Sequence, residues 1–85
     1  MFDIRRTATA EALHHGVTIG RLDDLGAYIA LARKSRGYTQ QEFADLAGVG
    51  RRFLSELEGG KPTAEIAKVL QVLNALGIDL ILKAR

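Results

Sequence analysis

The sequence predicts an all-α domain of four to five short helices, followed by one C-terminal β-strand. Apolar residues recur at steps of three and four positions in several segments, which is the spacing of one helical face. Glycines separate these segments after residue 22, and residues that cap helix starts precede several of them. The 85 residues form one domain, and 47% of them are apolar, so we expect a packed core.

The composition excludes several classes of protein. There is no cysteine, which excludes disulfides and thiolate metal sites and is typical of a reducing compartment. No apolar run is long enough for a membrane span or a signal peptide, so we expect a cytoplasmic, nucleoid-associated bacterial protein. The net charge of +2 permits nucleic-acid binding, but only the positions of the charges can indicate it.

Two helices are predicted between residues 22 and 48. Asp23 is placed to cap the first helix, whose apolar stripe is Leu22, Leu25, Ile29 and Ala32. The second helix, QQEFADLA, has the strongest start pattern in the chain. Thr39 and Glu42 have the spacing of a capping box, and the flanking aromatic residues, Tyr38 and Phe43, are spaced for a hydrophobic staple.

Two more helices follow. The third is predicted from Arg51 to Glu58, where Gly59 and Gly60 end it. Thr63 is placed to cap a fourth helix, AEIAKVLQVLNAL. The predicted buried stripe of that helix is Ile66, Val69, Leu70 and Leu73.

The second and third helices are separated by only a few residues containing glycine, which is the arrangement of a helix-turn-helix motif. Gly48 lies where this turn needs a positive φ. Glu58 follows Leu54 by one turn and Arg33 follows Ile29 by one turn, so both charges extend apolar stripes. A carboxylate in that position requires a partner, and we predict an Arg33–Glu58 ion pair between the first and third helices.

The outward face of the third helix is polar and begins with arginines. In this motif the front of the second helix enters the major groove, where arginine can bind guanine. Glu56 either accepts from cytosine N4 or holds Arg52 at i, i+4 spacing. The plainer interpretation is a solvated polar face. The predicted base contacts are Arg51, Arg52, Ser55 and Glu56; the predicted phosphate contacts are Gln40, Gln41, Gly60 and Lys61.

The segment TQQEFADLAGVGRRFLSELEGGK resembles the core of the Xre/lambda-repressor-type helix-turn-helix family of bacterial transcriptional regulators. The resemblance covers about residues 22–76. It implies that the base-reading positions fall on Arg51, Arg52 and Glu56. It also implies a phosphate contact at Gln40 and a buried pair of Arg33 with Glu58. The matching positions are Thr39, Gln40, Glu42, Ala44, Gly48, Val49, Leu54, Glu58, Gly60 and Lys61.

The sequence departs from that family at two positions. Gly50 stands where Ser, Lys or Thr is more usual, which removes one possible DNA contact. Phe53 stands where a small polar residue is frequent. Its ring either packs against the domain, the interpretation we favour, or touches a thymine methyl.

The segment IDLIL, residues 78–82, is short and apolar on both faces and is predicted to be a strand. We expect it to pair with the same strand of a second copy, and pairing with residues 17–19 is the alternative. Such a strand is similar to that of HipB-like antitoxins, which dimerise through it. The predicted dimer strand residues are Ile78, Leu80, Ile81 and Leu82. The predicted organisation is a tail over 1–21, a DNA-binding domain over 22–76 and a dimerisation strand over 77–85.

The predicted function is that of a dimeric repressor at a palindromic DNA operator. The resemblance implies an antitoxin that autoregulates its operon beside a HipA-like kinase toxin. A regulator without a toxin and an interaction module that has lost DNA binding are the alternatives. No catalytic motif occurs, and we expect no enzyme activity, no cofactor and no metal; the pair His14-His15 lies in the tail.

Overall fold

A computed structural model describes residues 16–61 and 63–85, and it contains four α-helices and no strand in those ranges. The helices are α1 (Leu22–Ser35), α2 (Gln40–Ala47), α3 (Arg51–Glu58) and α4 (Ile66–Ala75). The structure therefore confirms the all-α class. Most of the predicted N-terminal tail, including His14 and His15, lies outside the described residues.

One apolar core joins all four helices. Helix α3 packs against α1 and α2, and α4 packs against α2. Burying these side chains supplies the main favourable term in folding. The most deeply buried side chains are Ile29, Phe43, Leu54, Leu57, Val72 and Leu76.

The start of α1 differs from the prediction. Asp23 does not cap the helix: Arg21 is the N-cap residue, and it makes no capping hydrogen bond. Asp23 lies in the first turn and accepts a bond from the Arg21 side chain at 3.1 Å instead. A carboxylate in the first turn still stabilises the helix through the helix dipole. The predicted helix is therefore present, although its predicted cap residue is wrong.

The start of α2 matches the prediction. The Glu42 amide donates to Thr39 Oγ1 at 3.1 Å, and the Thr39 amide donates to Glu42 Oε1 at 2.9 Å. The Tyr38 and Phe43 rings lie 5.9 Å apart, so the staple is present as well. These local contacts fix where the helix-turn-helix begins.

Helix α4 is rotated from its predicted orientation. It begins at Ile66 with Glu65 as the N-cap residue, so Thr63 is not its cap. Ile66 is 63% exposed and Leu70 is 40% exposed, although both were predicted to be buried. The segment is apolar nearly all round, so its pattern allowed more than one buried face. The buried side chains are Val69, Val72, Leu73 and Leu76.

The predicted C-terminal strand is absent in this chain. Residues 78–85 have no regular secondary structure, and residues 17–19 form no strand with them. Ile78 takes part in the C-terminal capping of α4 instead. Its amide donates to Leu73 O at 2.9 Å, and its side chain packs against the core. Leu80, Ile81 and Leu82 are exposed. A strand requires a partner for its backbone groups, and the described part of one chain does not supply it.

None of the helices in residues 16–61 and 63–85 has the length and apolar character needed to cross a membrane.

Candidate nucleic-acid interface

The turn between α2 and α3 is three residues long, Gly48 to Gly50. Gly48 has φ +75°, as predicted, and the next amide, of Val49, donates to Ala44 O at 3.0 Å. Gln71 of α4 braces the turn, because its Nε2 donates to Ala47 O at 2.7 Å and to Gly48 O at 3.2 Å. Nothing in the sequence pattern marked Gln71, since its partners are carbonyls more than 20 residues away.

A buried ion pair holds α3 against α1. Arg33 Nε donates to Glu58 Oε2 at 2.7 Å and Nη2 donates to Oε1 at 2.9 Å, and both side chains are 7% exposed. Arg33 Nη1 also donates to Tyr38 O at 2.7 Å. The Glu58 carboxylate raises the pKa of Arg33, chiefly through their hydrogen bond, although burial acts in the opposite direction. The pair that the sequence predicts is thus present and fully hydrogen-bonded.

Close backbone contact at the far end of α3 also sets its position. A side chain at Gly26 of α1 would meet the carbonyl carbon of Glu58 at 2.9 Å. Gly60 has φ +83°, and a side chain there would meet the Asp23 Cα at 2.9 Å. Two glycines thus allow α1 to approach the last turn of α3 more closely than any other residue would permit.

The exposed face of α3 contains the four residues that the sequence predicts as base contacts. Arg51, Arg52 and Ser55 are exposed and Glu56 is half-buried, whereas Leu54 and Leu57 point into the core. This face is therefore accessible and polar, and the opposite face of α3 is packed in the core. Phe53 packs against the core, and Lys68 Nζ lies 5.7 Å from its ring centroid.

Glu56 is the centre of a charge cluster on this face. Its Oε1 accepts from Arg52 Nε at 3.2 Å, and its Oε2 accepts from Lys61 Nζ at 3.0 Å. The hydrogen bonds from Lys61 and then Arg52 lower the pKa of Glu56. Of the two predicted roles of Glu56, the structure contains the contact with Arg52, and it adds Lys61, which the sequence pattern did not link to Glu56.

The four predicted phosphate contacts differ in their surroundings. Gln40 Nε2 donates to Glu58 Oε1 at 3.1 Å, and Gln41 Nε2 donates to Asp45 Oδ1 at 2.9 Å. Lys61 is exposed and contacts Glu56 on the exposed face of α3. Gly60 is buried, and its amide donates to Leu57 O at 3.0 Å. This bond is part of the C-terminal capping of α3.

Comparison with known proteins identifies the family. The helix-turn-helix family model matches residues 29–82. The chain is 53% identical over 57 residues to the uncharacterized HTH-type transcriptional regulator y4mF of Sinorhizobium fredii. The aligned segment covers 67% of this chain and 75% of that protein.

Solved structures share the fold. Chains in a HipB-O4 20mer complex and in a HipA-HipB-O2-O3 complex superpose with a TM-score of 0.74, and one described as MDT protein superposes with 0.73. Each is 22% identical and covers 81% of this chain and 97% of its own length. With the family match, the braced turn and the exposed α3 face, the chain belongs to the Xre-type helix-turn-helix family of DNA-binding transcriptional regulators.

Proposed function

We propose that this protein is a dimeric repressor that binds a palindromic DNA operator through the exposed face of α3. The observation that carries the proposal is the pairing of an exposed, arginine-led helix face with the buried Arg33–Glu58 pair behind it. A helix that reads base edges must be held in one orientation, and this pair holds α3 from its buried side.

The proposed base contacts are Arg51, Arg52, Ser55 and Glu56. Arg51 and Arg52 form the first turn of α3, at the positive end of the helix dipole. Two arginines there disfavour the helix, and Gly50 adds no side-chain cap to offset them. Binding to a polyanion reverses that cost, which supports a nucleic-acid role for this end of the helix.

The proposed phosphate contacts are Gln40, Gln41 and Lys61. Gln40 and Gln41 form the first turn of α2, where Thr39 already binds the Glu42 amide. The amides of Gln40 and Gln41 have no acceptor among the described residues, so they remain as donors for a phosphate oxygen. Phosphate contacts of this kind set the register of a protein on the duplex.

A second copy of the chain is the proposed partner for the apolar surface left uncovered. Ile66 and Leu70 project from α4, and Leu80, Ile81 and Leu82 project from the C-terminal segment. In a dimer the segment can gain the strand partner that the described part of one chain does not provide. Two α3 helices would then read half-sites about one helical turn apart.

We further propose a HipA-like kinase toxin as a partner, which makes this chain an antitoxin. The support is the shared fold with HipB, which one of the solved structures contains together with HipA. If the reading frame next to this gene encodes a kinase-like protein, the two should co-purify in a fixed ratio. A neighbour of unrelated sequence, or no co-purification, leaves a regulator without a toxin.

DNA binding is tested by selecting duplexes from a random pool with the purified chain and measuring affinity by gel shift at several salt concentrations. We expect a palindromic sequence and a loss of at least tenfold in affinity for Arg51→Ala with Arg52→Ala. Lys34→Ala, which removes an exposed charge near the end of α1, is the control. Equal affinity of the double variant and the wild type would refute the assignment to α3.

The dimer is tested by sedimentation after removal of residues 80–85. This truncation keeps Ile78, which belongs to the core, and removes the exposed apolar segment. We expect a folded monomer by circular dichroism and sedimentation. A dimer of wild-type affinity after truncation would contradict the role of the segment.

A further inference from the structure

The two adjacent arginines at the start of α3 are not equivalent. Arg51 is exposed and forms no ion pair among the described residues, whereas Arg52 is paired with Glu56. The same carboxylate also holds Lys61, so one acidic side chain pairs with two of the cations on the proposed DNA-binding face. An isolated exposed pair contributes little, but two cations on one carboxylate form a small network.

The backbone of Lys61 is fixed relative to Glu56. Gly60 follows α3 in a left-handed conformation, its amide donates to Leu57 O at 3.0 Å, and the Lys61 amide donates to Glu56 O at 3.1 Å. These two bonds form a Schellman motif. The ion pair of Lys61 with Glu56 is therefore formed between residues that the helix end already holds together.

The hydrogen bond from Arg52 uses only Nε. Its terminal nitrogens, Nη1 and Nη2, donate to no acceptor in residues 16–61 and 63–85. Guanine O6 and N7 accept two parallel bonds from one guanidinium. Glu56 thus holds one edge of the Arg52 guanidinium and leaves the remaining donors for a base.

We propose that Glu56 is a positioning residue that determines the preference of this protein for its operator over other DNA. The inference rests on the proposed function. Binding to DNA of any sequence depends on the number of phosphates that Lys and Arg neutralise. The Glu56 carboxylate competes with a phosphate for Lys61 Nζ and Arg52 Nε, and its negative charge also repels the phosphate. A guanine at the right position binds Arg52 without breaking the pair.

The test compares Glu56→Gln with Glu65→Gln. Glu65 is exposed on the N-terminal side of α4, and its carboxylate lies 3.7 Å from Lys68 Nζ, so this control removes the same charge beside another lysine. The probes are the duplex selected by the wild-type chain and a scrambled duplex of equal length and composition. We expect Glu56→Gln to lower the ratio of the two affinities about tenfold, the discrimination of one base contact. On the scrambled duplex, log K should fall more steeply with log salt by about 0.9, or one phosphate.

A double-mutant cycle with Lys61→Gln measures the competition directly. Because Lys61 is a proposed phosphate contact, Lys61→Gln should weaken binding to the scrambled duplex in the wild-type background, but only by a small factor, since Glu56 competes for Lys61 there. In the Glu56→Gln background the same change should weaken it severalfold, because Lys61 is then available to a phosphate. Equal effects in both backgrounds, or an affinity ratio for Glu56→Gln equal to that for Glu65→Gln, would overturn the proposal.

Failure of the proposed function gives a different result. A wild-type chain that binds selected and scrambled duplexes equally contradicts operator recognition itself, and with it the role of Glu56. A wild-type preference that survives in Glu56→Gln contradicts the role of Glu56 alone. Thermal melting of each variant shows whether a loss of affinity arises from unfolding.

Discussion

Arg33 of α1 and Glu58 of α3 form a two-bond ion pair that joins the last turns of these two helices, with N···O distances of 2.7 and 2.9 Å. Gln40 joins the same carboxylate from α2 at 3.1 Å. One buried carboxylate therefore connects α1 and both helices of the motif. Any change in this pair should alter the orientation of α3 as well as the stability of the domain.

Glu58→Ala is expected to lower the free energy of unfolding by about 3–5 kcal/mol, because it leaves the Arg33 guanidinium buried without a counter-charge. The measurement is chemical denaturation followed by circular dichroism. Arg33→Met combined with Glu58→Leu should recover at least half of that loss, since no buried charge then remains. A single variant as stable as the wild type would show that the pair is not closed in solution.

Gly60→Ala should destabilise the domain for two reasons. The residue has φ +83°, and a side chain there meets the Asp23 Cα at 2.9 Å. Gly37→Ala is the matched control, because Gly37 has φ +79° and nothing within 4 Å of the added carbon. We expect about 1–2 kcal/mol for the control from backbone strain and a further 1–3 kcal/mol at Gly60 from overpacking. Equal losses in thermal denaturation would contradict the close approach of α1 to α3.

Gln71→Ala is expected to cost about 1 kcal/mol, because it removes the donor that binds Ala47 O and Gly48 O. The same variant should weaken operator binding, since the turn that orients α3 loses its brace. Asn74→Ala is the control on the same helix; its side chain makes no hydrogen bond within the described residues. Urea denaturation and gel shift of both variants give the comparison.

Gly50→Ser should stabilise the domain by about 0.5 kcal/mol. Gly50 is the N-cap of α3 with φ −73° and ψ 148°, a conformation open to serine, and an added side chain meets nothing within 4 Å. A serine hydroxyl can accept from the uncapped amides of the first turn, whereas alanine cannot. The expected order of melting temperatures is serine, then glycine, then alanine. A melting temperature of the serine variant no higher than that of alanine would show that no cap forms.

The capping box makes the stability of the domain depend on pH. The Thr39 backbone and hydroxyl hydrogen bonds lower the pKa of Glu42 below its ordinary value of 4.5. The unfolded chain therefore binds a proton at Glu42 at a higher pH than the folded chain does. The stabilising contribution is complete above about pH 5 and is lost as the pH falls through the folded pKa.

Glu42→Gln tests this dependence, because glutamine can keep the box geometry without titrating. We expect the difference in unfolding free energy between wild type and variant to shrink as the pH falls from 6 to 3. Asp45→Asn serves as the control carboxylate on the same helix. A difference that does not change with pH would contradict the lowered pKa of Glu42.

Patterns that act over one or two turns were predicted well from the sequence. The capping box at Thr39, the staple of Tyr38 with Phe43 and the turn at Gly48 all depend on neighbours within five residues. The Arg33–Glu58 contact was also found, because each charge extends an apolar stripe and each requires a partner.

Other predictions failed because they depended on which part of the chain packs against the segment in the folded domain. Thr63 is a good cap residue, but α4 begins at Ile66, and packing on α2 decides which side of its apolar surface is buried. The segment from Ile78 has the composition of a strand, yet composition does not supply the partner that a strand requires.

The helix-turn-helix, its start, its turn and the polar face of α3 could all be predicted from the amino-acid sequence, because they follow from local propensity and helical period. Two contacts became apparent only in the folded structure: the hydrogen bonds from Gln71 to the turn, and the close approach of α1 to the end of α3 at Gly26. The difference lies in how far apart along the chain the contacting residues are. Caps and stripes are set by residues a few positions apart, whereas these contacts depend on where helices and chain ends meet in space.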